Sequence, residues 1–333
     1  MKARLAIISA TGAARKRTIP ALQGSQSVEV VAVHGRDPER LRDLAIRFGI
    51  RGVFTDLNEM LKTAKFDVLF IASPPFLHEQ QIEAAVATGK PVVCEKPLAP
   101  NLASALRIAE VVKASGRPFM LAHHLRHHPM LMRVKDLITS GELGAIRRAD
   151  FEWSFSLNRD ASNARWKADP ELGGPTALYD AGIHAVDLAI HLFGAPSLVF
   201  GATFNTAAIQ TADNAIALLQ YPDLLVTVSA SQVLRNSPND LLIEGEQGYV
   251  TAPAFLREAG GKLLQIRRGD DCDHERFDPV NLYAAEIEAF VAALREGRTG
   301  VGTTIDEALL GSRVLDAVDR SQLSKRAVGL EYP

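Results

Sequence analysis

The tetrapeptide Cys94-Glu95-Lys96-Pro97 closes the apolar run Pro91-Val92-Val93 with a charged pair on a tight turn. A buried parallel strand ending there places Lys96 where open α/β sheets hold their ligands, beyond the carboxyl ends of the strands. A lysine leaving a strand beside a proline is partly stripped of water, and its ammonium can exchange a proton with a substrate oxygen. A second set of such groups lies in Asp180-Ala181-Gly182-Ile183-His184-Ala185-Val186-Asp187, after Gly173-Gly174-Pro175. On one helix, positions 180, 184 and 187 share a face at i, i+4 and i+7. His184 suits proton exchange with a hydroxyl near neutral pH, while Asp180 orients a substrate or raises the imidazole pKa. A purely structural Asp-His pair fits the same spacing.

The apolar run Leu5 to Ile8 leads into Ser9-Ala10-Thr11-Gly12-Ala13-Ala14-Arg15, where a dinucleotide fold carries G-x-G-x-x-G or G-x-G-x-x-A. Ser9 and Thr11 stand at the first two glycine positions, and Gly12 compensates in part. Thr11 adds bulk where a pyrophosphate approaches the backbone, yet its hydroxyl can bond a phosphate oxygen. Alone, the stretch reads equally as a plain strand-to-helix turn. The second strand ends in Val33-His34-Gly35-Arg36-Asp37-Pro38-Glu39-Arg40, with Gly35 and Arg36 where an NAD site prefers an acid for the ribose hydroxyls. A guanidinium there suits a 2′-phosphate, and Arg40 one helical turn on reaches the same anion. NADP(H) is therefore favoured over NAD(H), the bland alternative being two solvated surface arginines.

Ser73-Pro74-Pro75-Phe76-Leu77-His78 is a stiff loop ending at a helix start. It suits the underside of a flat ring, or serves only to initiate the helix. His123-His124-Leu125-Arg126-His127-His128 holds i, i+4 histidine pairs, but no cysteine or carboxylate nearby completes a zinc ligand set, so no metal is expected. His123 and His124 are expected to face a shared cleft and His127 and His128 the solvent. Glu244, Glu246 and Asp270-Asp271-Cys272-Asp273 read as turns on an outer sheet.

The elements that must position these groups follow a clear rhythm up to residue 122. Strands are expected at Arg4–Ile8, Val28–Val33, Val68–Ala72, Val92–Cys94 and Phe119–Ala122. Helices are expected at 15–22, 39–48, 57–63, 78–88 and 102–115, with Gly89, Gly116 and the prolines at 91 and 118 as stops. Alternation of this kind predicts a doubly wound, dinucleotide-binding α/β domain over 1–122. From 123 to 333 the pattern predicts an α+β domain with an open, mainly antiparallel sheet. Its helices fall at 129–140, 176–193, 282–295 and 304–320, and its strands at 145–155, 198–205, 214–221, 224–234, 240–245 and 248–251. The last three of those helices are expected to cover one sheet face. The bare face predicts a homodimer or homotetramer, since large apolar patches rarely stay wet.

Composition narrows the classes further. A net charge of -2 over 333 residues, with 47% hydrophobic and 23% charged residues, gives no bias towards nucleic acid or membrane. Only Cys94 and Cys272 occur, which argues against a disulfide framework and for a reducing compartment, the cytoplasm. Nowhere do 18 apolar residues run together, so no membrane helix is expected.

Taken in order, these motifs resemble the glucose-fructose oxidoreductase and inositol dehydrogenase family, Gfo/Idh/MocA, over nearly the whole chain. Glu95-Lys96-Pro97 is the most specific match; Asp67 to His78 matches the family's strand and loop beside the nicotinamide, and Gly174 to Asp187 its D-x-G-x-H-x-x-D helix. Within the family, Ser9 to Arg15, His123 to Arg126 and Asp278 to Tyr283 are most similar to NADP-using sugar reductases of the 1,5-anhydro-D-fructose reductase type. The resemblance implies a Rossmann domain and hydride transfer between NADP(H) and a sugar or polyol. It implies Lys96, Asp180 and His184 as the catalytic constellation. It also implies a cofactor held by Ser9, Ala10, Thr11, Gly12, Ala13, Ala14, Gly35, Arg36, Arg40, Ser73, Pro74, Pro75, His78, Glu95 and Lys96. Trp166, Lys167 and Tyr283 would border nicotinamide or substrate, with His123 and His124 towards the substrate. A non-catalytic NADP-binding sensor of the same fold is the rival reading. Two departures stand out: Pro175-Thr176 precedes Ala177 where the family usually has glycine, and Ala122 precedes His123 where the sugar reductases have asparagine.

Overall fold

The computed structural model describes residues 1–158, 165–206, 210–258, 260–298 and 300–330. The chain forms two compact units. One takes Met1–Ala99, Ala103–His124 and Tyr283–Leu309, the other Pro100–Leu102, Leu125–Leu282 and Leu310–Pro333. The sequence reading placed everything after residue 122 in the second domain, so the return of Tyr283–Leu309 to the first unit is a difference.

The first unit is built on six parallel strands: β1 (Ala3–Ile8), β2 (Val28–His34), β3 (Gly52–Phe54), β4 (Val68–Ile71), β5 (Val92–Glu95) and β6 (Phe119–Ala122), in the order β3-β2-β1-β4-β5-β6. Both faces are covered, which is why the central strands read as unbroken apolar runs. Leu5 and Ile7 of β1 enter one core with Val33, Phe70, Val93 and Met120, while Ala6 and Ile8 enter the opposite core with Leu69, Ile71, Val92 and Cys94. The helices α1 (Ala13–Lys16), α2 (Thr18–Leu22), α3 (Pro38–Phe48), α4 (Leu57–Thr63), α5 (His78–Val86) and α6 (Leu102–Ser115) connect these strands. Asp37 and Asp56 cap α3 and α4, accepting from the backbone N–H of Arg40 at 3.1 Å and Glu59 at 2.9 Å. The helix expected over 15–22 is two short pieces meeting at Arg17, and the short strand β3 was not anticipated.

In the second unit α7 (Pro129–Thr139), β7 (Ile146–Ser154), α8 (Pro170–Gly173) and α9 (Ile183–Phe193) come first. There follow β8 (Leu198–Phe204), β9 (Asn214–Gln220), β10 (Leu225–Ser231), β11 (Leu241–Gly245), β12 (Gly248–Ala252), β13 (Leu263–Arg268) and β14 (Asp271–Arg276). After α10 (Leu282–Arg295) and α11 (Ile305–Ser324), β15 (Val328–Gly329) completes a nine-stranded sheet ordered β14-β13-β12-β11-β7-β10-β9-β8-β15. Its ladders are antiparallel except between β7 and β10. One face carries Phe151, Trp153, Val226, Val228, Ala217 and Leu219 into a core shared with Val186 and Ile190 of α9 and Val314 and Val318 of α11. Gly201 of β8 lets α11 approach, since a Cβ there would come within 2.5 Å of Val318 Cγ1.

Several expectations need correction. Helix α10 does not cover the second sheet: its Ile287, Phe290 and Val291 belong to the core of the first unit with Leu5 and Val28. The acidic stretch is not all turn, because Glu244 lies in β11 and Asp271–Asp273 in the edge strand β14. His128 does not face solvent; it is 1% exposed, its Nδ1 accepts the Met130 N–H at 3.1 Å as the N-cap of α7, and its ring meets Phe255 edge-on. A capping role accounts for that burial, because the first N–H groups of a buried helix start need an acceptor.

Arg126 and Asp187 form a bidentate ion pair at 2.9 and 2.8 Å, with side chains only 3% and 5% exposed. His127 beside it is half-buried rather than solvent-facing, and burial, with the Arg126 charge second, lowers its pKa to about 4. The unfolded chain therefore takes up this proton first as pH falls. Stability should drop as pH goes from about 6.5 to 4, by roughly 3 kcal/mol from this group, and level off below. Urea titrations across that range should show the slope, and His127→Gln should flatten it measurably.

Candidate active site

The residues singled out fall into two groups, one per unit, and each is described by itself. In the first unit, β1 turns into α1 through Ser9, whose φ of 59° is the left-handed conformation that usually selects glycine. The Ala10 N–H bonds the His34 carbonyl at 2.9 Å, and Ala10 and Ala14 are fully buried, so the turn is held tightly against the end of β2. At that end Gly35 has little room: a Cβ would meet Leu41 Cδ2 at 3.3 Å and Thr11 Cγ2 at 3.5 Å. A tight strand-to-helix turn of small residues is where a pyrophosphate approaches backbone N–H groups, so the residues present fit a dinucleotide.

Arg36 is exposed at the tip of β2. Arg40 is not equivalent to it, because its Nε pairs with Asp37 at 3.2 Å. Asp37 in turn accepts the Arg40 N–H at the start of α3. The two arginines were read together from sequence; the structure gives one of them a partner.

Lys96 and Glu95 are half-buried at the carboxyl end of β5, and the Lys96–Pro97 peptide is cis. The Ser73-Pro74-Pro75 loop leaves β4, the neighbouring strand. Ser73 Oγ donates to Gln81 Oε1 at 2.6 Å. His78 is completely buried, its Nε2 2.9 Å from the Ser73 carbonyl oxygen and its Nδ1 3.1 Å from that of Leu98. Burial lowers its pKa against the pull of the Ser73, Leu98 and Pro97 carbonyls. His123 and His124, at the end of β6, are 3% and 4% exposed. The His124 ring stacks on Tyr283 with centroids 4.8 Å apart, and the Arg17 guanidinium lies 5.8 Å from the same Tyr283 ring. Burial raises the Tyr283 pKa above its ordinary value.

Glu286, one turn along α10 from Tyr283, was missed from sequence. It is 1% exposed, and burial first, then the charge of Glu95, pushes its carboxyl well above the usual range. The signal was available: a lone carboxylate sits on the helix stripe that otherwise carries Ile287, Phe290 and Val291.

In the second unit Asp180 and His184 do not share one regular helix. Residues Leu178–Gly182 form a π-turn, and the α-helix begins at Ile183. Such a turn re-aims side chains that a 3.6 period would align. Each of the polar groups accordingly has its own partner. Asp180 Oδ2 accepts Lys167 Nζ at 2.7 Å and Gln232 Nε2 at 3.2 Å. His184 is 5% exposed and stacks on Trp153 at 4.1 Å between centroids. Asp187 is held by Arg126. Trp166 and Lys167 lie on the short turn Arg165–Ala168, with Lys167 Nζ 5.4 Å from the Trp166 ring.

Gly174 makes the approach to the π-turn possible. Its φ is +93°, and a Cβ would overlap the Tyr179 ring at 2.2 Å. Tyr179 donates to Asp319 Oδ2 at 2.8 Å, and burial raises Asp319 to about 7. Among the described residues, no cluster of three or more His, Cys, Asp or Glu side chains is arranged to hold a metal ion, and no helix is long and apolar enough to cross a membrane.

Residues 3–123 match the model of the Gfo/Idh/MocA oxidoreductase family with an NAD-binding Rossmann fold, and residues 131–251 match the model of its C-terminal domain. The chain is 29% identical over 328 residues to D-xylose 1-dehydrogenase (NADP(+)) 2 of Haloferax volcanii, covering 98% of this chain and 99% of that one. It is 25% identical to scyllo-inositol 2-dehydrogenase (NADP(+)) IolU of Bacillus subtilis, with 92% of each covered. Among solved structures, levoglucosan dehydrogenase in complex with NADH and levoglucosan superposes with a TM-score of 0.89 at 19% identity, over 99% of both chains, a likeness of fold. With both of its domain models matched in order along the chain, and with Glu95-Lys96-Pro97 ending the fifth strand of a parallel six-stranded sheet, this protein belongs to the Gfo/Idh/MocA oxidoreductase family.

Proposed function

We propose that the protein exchanges hydride between a nicotinamide cofactor, NADP(H) in preference to NAD(H), and a CH–OH or carbonyl carbon of a sugar or polyol. The observation that carries this reading is Lys96, half-buried beyond the carboxyl end of β5 in a dinucleotide-type sheet. The bound cofactor would supply or accept the hydride; the protein supplies position and proton traffic. In reduction the Lys96 ammonium gives its proton to the substrate oxygen as carbon gains hydride, and in oxidation the neutral amine takes that proton back. The fixed ring of His184 serves as a hydrogen-bonding and proton-exchanging partner to a substrate hydroxyl. Asp180, already accepting from Lys167 and Gln232, retains lone pairs for a further hydroxyl.

Ser9 to Ala14 and Gly35 would line the dinucleotide phosphates and ribose, and Arg36 would meet a 2′-phosphate. The relatives' names put NADP(+) beside D-xylose and scyllo-inositol, which makes these sugars the first to test. A reducing cytoplasm is the proposed setting, given the buried Cys94 and the exposed, unpaired Cys272. The rival sensor reading predicts cofactor binding without turnover.

A second copy of the chain is the proposed cover for the outer face of the nine-stranded sheet. Phe200 pairs across strands with Leu218, beside Ile216, and these three are 43%, 38% and 45% exposed. Residues of that size on one sheet face form a patch that monomers seldom leave to water.

Three outcomes follow. Fluorescence titration of cofactor-stripped protein should give tighter binding of NADPH than NADH, and Arg36→Ala should weaken NADPH about 10-fold to 100-fold while changing NADH less than threefold. Lys96→Met should cut kcat with NADP(+) and D-xylose or scyllo-inositol by about 10²-fold to 10⁴-fold and leave NADPH binding near that of the wild type; unchanged turnover removes the proposed proton donor. Ile216→Arg with Leu218→Arg should convert an oligomer to monomers in sedimentation velocity.

A further inference from the structure

The parallel ladder between β4 and β5 ends at the pair Ile71 and Cys94. Two residues past that level lie Ser73 on one chain segment and Lys96 on the other, and beyond it the backbones are no longer tied by sheet hydrogen bonds. The His78 imidazole stands at this point. It is 0% exposed, with Nε2 2.9 Å from the Ser73 carbonyl oxygen and Nδ1 3.1 Å from the Leu98 carbonyl oxygen. Both partners are carbonyl oxygens that can only accept, so whichever ring nitrogen carries a proton donates to one of the two segments. Ser73 is fixed a second time by its hydroxyl on Gln81, one turn along the helix that His78 begins.

We infer that His78 is a positioning residue that staples the loop after β4 to the turn after β5 and so fixes where the Lys96 ammonium stands. Its functional half rests on the oxidoreductase reading above; its structural half does not. With its proton on Nδ1 the neutral ring donates to the Leu98 carbonyl and ties the helix it begins to the turn after β5, while Nε2 only faces the Ser73 carbonyl; the ring is wholly buried, so His78 acts through these segments rather than on a ligand. A lysine on a turn has a long, mobile side chain, and a backbone shift of about 1 Å at its root is enough to cost on the order of 10²-fold in rate when geometry is critical. Sequence offered the His78 position as a helix start; only the fold shows that its ring reaches the turn twenty residues on.

The test compares His78→Leu, which can bond neither carbonyl, with His78→Asn, whose amide nitrogen stands near the Nδ1 position and retains the bond to Leu98. Two quantities are read: amide hydrogen exchange over 76–77 and 96–99 in the ligand-free protein, and kcat and KM with NADP(+) and D-xylose or scyllo-inositol. In His78→Leu, exchange in both segments should rise at least tenfold and kcat should fall 10-fold to 100-fold, with the sugar KM changed less than threefold. In His78→Asn, which keeps the bond to Leu98, exchange in both segments and most of kcat should recover. Unaltered exchange in His78→Leu overturns the staple, and faster exchange at 96–99 with an unaltered kcat overturns its role in placing Lys96. If His78→Leu does not fold, His78→Gln, which retains only the Ser73 side, should show fast exchange at 96–99 alone. If wild-type protein turns over neither sugar, the functional reading is what fails, and the exchange data still decide the staple.

Discussion

The ion pair between Arg126 and Asp187 is the constraint on which the second unit's chemistry depends. Both side chains are almost wholly buried and joined by two bonds under 3 Å. Neither charge can lose its partner cheaply: removing one member of such a pair costs on the order of 3–5 kcal/mol, because the other is left buried and uncompensated. The pair therefore fixes the rotation and height of α9 against the segment that precedes α7. His184 lies three residues before Asp187 on that helix, so the anchor also sets which way the imidazole projects. The ring then rests flat on Trp153 of β7, which leaves it few rotamers.

From the same anchor the chain runs back through the π-turn to Asp180. The extra residue in that turn breaks the alignment of 180 with 184 and hands Asp180 to Lys167 and Gln232. Those two bonds hold the Asp180 carboxylate in one orientation. The packing behind it is equally specific: Gly174, the Tyr179 ring and Asp319 form a column that leaves no room for a Cβ at residue 174.

How much of this was legible in the sequence depended on the range of the interaction involved. The strands at 68–71, 92–95 and 119–122 announce themselves because both sheet faces are covered and every residue but Glu95 is apolar. The helix at 102–115 and the hairpin at Tyr221-Pro222-Asp223 are likewise local events, set by periodicity and turn chemistry. Strand β3 has three residues, too few for a period to show. A π-turn shifts the register by one residue, which a 3.6-residue template cannot register. Helix α10 displayed an apolar stripe, but a stripe tells that a helix is buried and not against which sheet. His128 and Lys167 found partners far along the chain, Phe255 and Asp180, and nothing within a local window specifies such pairs. Residue types at the ends of strands were therefore readable as chemistry, while the groups that hold them in place were not.

The cofactor preference illustrates how a neighbour decides the meaning of a charge. Asp37, one residue beyond Arg36, is of the residue type that bonds ribose hydroxyls in an NAD site. Its oxygens are instead engaged by the Arg40 backbone N–H at 3.1 Å and the Arg40 guanidinium at 3.2 Å. Turned onto the first turn of α3, that carboxylate caps a helix and pairs with Arg40, and Arg36 stands exposed at the tip of β2. Its attraction for a phosphate at about 4 Å lies between roughly 1 and 4 kcal/mol per unit charge, depending on how much water intervenes. An exposed guanidinium sits towards the lower end of that range, and salt screens it over about 10 Å at 0.1 M. On the proposed reading, the preference for a 2′-phosphate would be a moderate one that weakens with ionic strength, set by the commitment of Asp37 as well as by the presence of Arg36.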